Sequence, residues 1–89
     1  MSRLEDFLYE FRLLDTAEAC QVLAHLTHAI ALSRAGLSAP RALEIAGEIS
    51  PFPEGLFSAL VLPAAIAKNV QDLRQLHHES CCAINDFEP

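Results

Sequence analysis

Residues 15–40 read DTAEACQVLAHLTHAIALSRAGLSAP, a long helical pattern bounded by a start signal and a stop signal. Asp15 is followed three residues later by Glu18, the spacing at which a capping side chain and a returning acid satisfy free N–H groups at a helix start. Ala19, Val22, Leu23, Leu26, Ala29, Ile30 and Ser33 then recur every three or four positions, which places them on one helical face. A second side carries Ala17, Cys20, Ala24, Thr27 and Ala31, all small enough to let another helix axis approach closely. Gly36 can take the left-handed conformation that ends a helix. The spacing therefore predicts a helix over 16–35, packed on two sides and central to the fold.

Upstream, Ser2 and Glu5 form the same cap pattern. Leu4, Phe7, Leu8, Phe11 and Leu14 follow as one apolar stripe, predicting a helix over 3–14, with Glu5, Asp6, Glu10 and Arg12 on its other side. Downstream, Ser38 can cap a third helix with Pro40 in its first turn. Ala39, Ala42, Leu43, Ala46 and Ile49 form its stripe, which should end by Ser50. Pro51, Pro53 and Gly55 punctuate the chain as a short loop. A last helical segment is expected over 54–79, kinked or broken at Pro63 because proline removes a donor and disfavours helical geometry at Leu62. Leu56, Phe57, Leu60 and Val61 precede that break, and Ile66, Val70, Leu73 and Leu76 follow it. Residues 80–89 lack periodicity and are read as a flexible tail beyond a single domain at 1–79. No period-two alternation is present. The fold class expected is all-α, a bundle of about four helices.

Size adds a second expectation. For 89 residues and 9.7 kDa, area scaling gives ~5,100 Å² folded against ~14,100 Å² unfolded, so ~64% is buried on folding. With 52% hydrophobic residues and a mean hydropathy of +0.24, apolar surface should be left over for a second subunit or another protein. A homodimer is expected on this ground.

Charge narrows the partners. Twelve acidic residues against six basic ones give −6 and a pI near 5.0, the reverse of a nucleic-acid-binding profile. No helix carries the Lys/Arg face of a membrane-surface element, and no uncharged stretch is long enough to span a bilayer. The first residues lack the order of a secretory leader, and three cysteines, two of them adjacent, suit a reducing compartment. The expected location is cytoplasmic. The Ala-rich, Arg-over-Lys usage suggests a bacterial source.

Two groups of residues invite chemistry. His77, His78, Cys81 and Cys82 make two i, i+4 His–Cys pairs. Neighbouring positions on a helix diverge by about 100°, so the four cannot converge on one ion. No metal, cofactor or catalytic residue is expected, and no Cys–His nucleophile, since no glycine-rich turn exists to supply oxyanion donors. His25 and His28 are read as a solvated face. The stretch Ala31–Glu48 has the spacing of a helix-turn-helix around Gly36. Its second helix offers only Arg41 to DNA, beside Glu44 and Glu48.

The function expected is therefore non-enzymatic: a regulatory interaction module that inhibits or sequesters a partner protein, in the manner of an anti-activator. The profile of size, acidity and helix content resembles bacterial anti-activators, antitoxin-like inhibitors and secretion chaperones in type. A basic, DNA-binding regulator would suit the acidic rims. The interface is expected at Phe7, Tyr9 and Phe11 on the first helix and at Phe57, Leu60, Val61, Ile66 and Val70 around the break. The alternative is a small DNA-binding regulator using the Gly36 turn.

Overall fold

A computed structural model describes residues 3–53, 55–58 and 61–85. Among them lie five helices and no strand: α1 (Arg3–Arg12), α2 (Thr16–Arg34), α3 (Ala39–Ile49), α4 (Pro63–Ile66) and α5 (Val70–Asn85). The all-α class is as the sequence indicates. The radius of gyration is 12.0 Å, close to the ~12 Å typical of a compact chain of this length.

α2 forms where its signals place it. The Asp15 side chain accepts from Glu18 N–H at 2.8 Å, and the Glu18 carboxylate accepts from Asp15 N–H at 3.3 Å, closing the reciprocal cap. At the other end Gly36 takes φ +117°. Its N–H donates to Ser33 carbonyl at 3.1 Å, while Leu37 N–H donates to Leu32 carbonyl at 3.3 Å. This paired closure satisfies carbonyls that would otherwise be orphaned. α3 starts at Ser38, whose hydroxyl accepts from Arg41 N–H at 3.4 Å. Ser2, the expected cap of α1, lies outside the described residues.

α2 packs most extensively, against α3 on one side and α5 on the other. Thr27 meets His77, and further toward the start of α2, Cys20 faces the same groove as Ile84 near the end of α5. The two helices are thus antiparallel. The core joins Val22, Leu26 and Ala29 of α2 to Phe7 and Phe11 of α1, Ala42 and Ala46 of α3, and Leu73 and Leu76 of α5. A run of rings threads it. Phe11 lies 6.3 Å from Phe7, Phe7 stacks on Phe57 at 5.1 Å, Phe57 meets the edge of Phe52 at 5.5 Å, and Phe52 covers His25 at 4.1 Å.

The chain departs from expectation between Pro51 and Asn69. Helix was expected from residue 54. The described residues of 51–62 instead form an irregular loop with Gly55 at φ +88°, and Glu54, Ala59 and Leu60 lie outside the description. Pro63 does not kink a helix; it begins one. Leu62 is extended, as a residue before proline prefers, and Pro63 takes the first position of α4. A second break follows at Ala67, also extended. Asn69 then opens α5: its side chain accepts from Asp72 N–H at 3.0 Å, while Asp72 accepts from Lys68 N–H at 2.9 Å. α5 also runs past Glu79 to Asn85. Ser80 and Ala83 extend the buried Leu73–Leu76 stripe, so residues 80–85 continue the helix that was expected to stop before them.

The accessible surface is 5398 Å², near the ~5,100 Å² expected for this mass. Fourteen of the apolar residues are alanine, and each buries little area. Among the described residues the large hydrophobic side chains left exposed are Tyr9, Leu13 and Ile49. The apolar surface in need of a partner is smaller than the percentage composition suggested.

Candidate functional site

The expected interface residues separate by depth. Phe7 (0% exposed), Phe11 (1%) and Val61 (6%) lie in the core. Their place at a surface is a correction, and its cause is the loop after α3, which folds Phe57 onto Phe7 of α1 and Phe52 onto His25 of α2 instead of projecting them. Phe57, Ile66 and Val70 are half-buried, with Phe57 and Ile66 packed against the core. Leu60 lies outside the described residues. Tyr9 is open, at 68% exposure.

Tyr9 has an exposed apolar neighbour in sequence. Leu13, in the turn that follows α1, is 57% exposed. Phe7 and Phe11 point inward from α1, and a helix repeating every 3.6 residues then turns position 9 outward, while Leu13 lies in the closing turn, its N–H donating to Glu10 carbonyl at 3.1 Å. Glu5, Asp6 and Glu10 share this helix. The result is an aromatic–aliphatic pair among carboxylates. Beside it, the end of α1, the start of α2 and Ile84 enclose a groove of about 430 Å³, walled by Phe11, Leu14, Ala19 and Cys20 with Arg12 and Asp15 at its polar side.

His25 belongs to the interior, not to a solvated face: it is 3% exposed. Its Nδ1 lies 2.9 Å from Ser50 carbonyl. A carbonyl only accepts, so Nδ1 carries the proton. The ring thus caps the end of α3 from α2, under Phe52. Burial is the main cause holding its pKa below the usual histidine value; the Ser50 bond opposes this, and the nearby His28 charge reinforces it.

On the α2–α5 seam, His77 stands between Thr27 and Cys81. His77 Nε2 is 3.2 Å from Thr27 Oγ1, and Cys81 Sγ is 3.9 Å from His77 Nδ1. Cys82 Sγ is 3.8 Å from His78 Nε2 on the exposed side. The two pairs point apart, as the helical angle requires, and no cluster of three or more His, Cys, Asp or Glu able to hold a metal occurs among the described residues.

The Gly36 turn shapes the other candidate. Arg41, the cation of the would-be recognition helix, pairs with Glu44 at 2.9 Å. Among the described residues no helix is long and apolar enough to cross a membrane.

Comparison with family models, curated proteins and solved structures found no match to this chain.

Proposed function

We propose that this chain is a non-enzymatic, regulatory binding module that docks an apolar, basic segment of a partner protein on the outer face of α1 and so masks that segment. The observation that carries the reading is the exposure of Tyr9, on a helix whose first turn is acidic, and of Leu13 in the turn that closes that helix. A tyrosine supplies a rigid anchor of the kind that dominates interfaces. The surrounding carboxylates and the −6 charge select a cationic partner and repel an acidic one. A DNA-binding regulator whose association face is apolar and basic meets that description, and a cytoplasmic site of action suits it.

A second reading has one observation in its favour. α1 is acidic in its first turn and basic at Arg12, so two copies packed antiparallel through Tyr9 and Leu13 would bring Arg12 of each toward the acids of the other. That is a self-complementary, two-fold interface.

The test uses a synthetic helical peptide with leucines on one face and Arg/Lys on the other, and its charge-reversed counterpart. Calorimetric titration should show binding of the basic peptide only, weakening as salt rises. Tyr9→Ala with Leu13→Ala should weaken it by roughly thirtyfold, equivalent to about 2 kcal/mol. Equal binding of both peptides, or no loss in the double variant, overturns the proposal. A doubled mass in light scattering that reverts to 9.7 kDa in the double variant assigns the face to a second copy instead.

A further inference from the structure

The seam between α2 and α5 contains a relay that fixes one proton arrangement. Thr27 Oγ1 lies 2.8 Å from Leu23 carbonyl and donates to it. A hydroxyl has a single proton, so toward His77 Nε2 at 3.2 Å Thr27 can only accept. Nε2 of the neutral ring therefore carries the hydrogen, and Nδ1 keeps its lone pair. That lone pair faces Cys81 Sγ at 3.9 Å, within reach of a thiol hydrogen bond and at its long end. The sequence of bonds is Cys81 S–H to His77 Nδ1, His77 Nε2–H to Thr27 Oγ1, Thr27 O–H to Leu23 carbonyl. This is a thiol, a base and a group that orients the base.

We propose that Cys81 is a reactive thiol, activated by His77 with Thr27 as positioning residue, and that it undergoes exchange with small-molecule disulfides. The proton of Cys81 passes to His77 Nδ1 as the sulfur electron pair attacks one sulfur of the disulfide. The new S–S bond forms as the old one breaks, and the departing thiolate takes the proton back from His77. One disulfide and one thiol enter, and one mixed disulfide and one thiol leave, so the exchange needs no further oxidant. Cys81 is half-buried while Cys20 and Cys82 are exposed, so accessibility alone would rank Cys81 last. Cys82 serves as an internal control: its sulfur has a histidine nitrogen at 3.8 Å and greater exposure. The site is separate from the Tyr9–Leu13 face and stands whether or not that face binds a protein.

The test exposes the full chain to substoichiometric dipyridyl disulfide at neutral pH and locates the adduct by peptide mass spectrometry. Cys81 should take the first equivalent, at least about tenfold faster than Cys20 or Cys82. His77→Gln should remove that advantage, since a positioned base contributes ~10²-fold or more to proton transfer. Thr27→Val should slow Cys81 several-fold and Thr27→Ser should restore it, a rescue that a merely structural role would not give. First labelling at Cys20 or Cys82 in the unaltered chain overturns the proposal without recourse to any variant. So does a Cys81 rate that His77→Gln or Thr27→Val leaves within twofold.

Discussion

Replacing Phe7 and Tyr9 separately by alanine should produce opposite outcomes from positions two residues apart on one helix. Phe7 is fully buried, with its ring 5.1 Å from Phe57 and 6.3 Å from Phe11. Truncating a buried phenylalanine costs about 3–5 kcal/mol. Phe7 should fall in the upper half of that range, because the loop holding Phe57 loses the ring it stacks on. The whole fold of 89 residues is stabilised by only about 4–13 kcal/mol. With ~4–8 °C of melting temperature per kcal/mol at this size, Phe7→Ala should lower Tm by ~16–40 °C or prevent folding. Tyr9, 68% exposed, should change stability by no more than about 0.5 kcal/mol, a shift of a few degrees. Thermal melts followed by circular dichroism measure both. A Phe7→Ala shift under about 5 °C, or a Tyr9→Ala shift as large as that of Phe7→Ala, would refute the assignment of one ring to the core and the other to the surface.

Acid should weaken the fold through His25. Its pKa is lowered in the folded chain, so below about pH 6.5 the unfolded chain binds the proton first and stability declines as pH falls. His25→Leu, less stable at pH 7 for want of the Ser50 bond, should show a flatter Tm profile between pH 7 and 5; an unchanged slope would exclude His25 as the source. Ser80 is fully buried with its hydroxyl unpartnered. Ser80→Ala should therefore raise Tm by several degrees, since a buried unpaired hydroxyl costs roughly 1–3 kcal/mol and alanine is the better helix former; a lower Tm would show that the hydroxyl has a partner.

The legible parts of the fold were those governed by local chemistry. The Asp15–Glu18 cap, the Gly36 closure and the Ser38 cap are contests among neighbouring backbone and side-chain groups, and the sequence contains all the contestants. The segment from Pro51 to Asn69 was misread because its apolar content suits a helix while its prolines and Gly55 do not. Where each proline falls relative to an element boundary is settled by the packing of Phe52, Phe57 and Val61, which are long-range contacts. The start of α5 was visible in Asn69 and Asp72, the same three-residue spacing as Asp15 and Glu18, but it was absorbed into the expected continuous helix. Its end was missed because Ser80 and Ala83 are small and contribute little to a hydrophobic stripe.

The candidate site shows the same division. The aromatic residues on α1 look alike as anchors in composition, yet helical phase alone separates Phe7 and Phe11 from Tyr9. His25 reads as polar until the Ser50 carbonyl is placed beside it, 25 residues away. The Thr27–His77 contact joins positions 50 apart, and no spacing along the chain could announce it.

Docking of a basic apolar segment on the exposed face of α1 can be read residue by residue in a nuclear magnetic resonance titration of the labelled chain with the basic amphipathic peptide. Saturable shifts should concentrate at Tyr9, Leu13 and the neighbouring Glu10 and Arg12, extending to Leu14, Cys20 and Ile84 along the nearby groove. Shifts centred on the Gly36 turn or on α3, or none at saturating peptide, would contradict docking on this face.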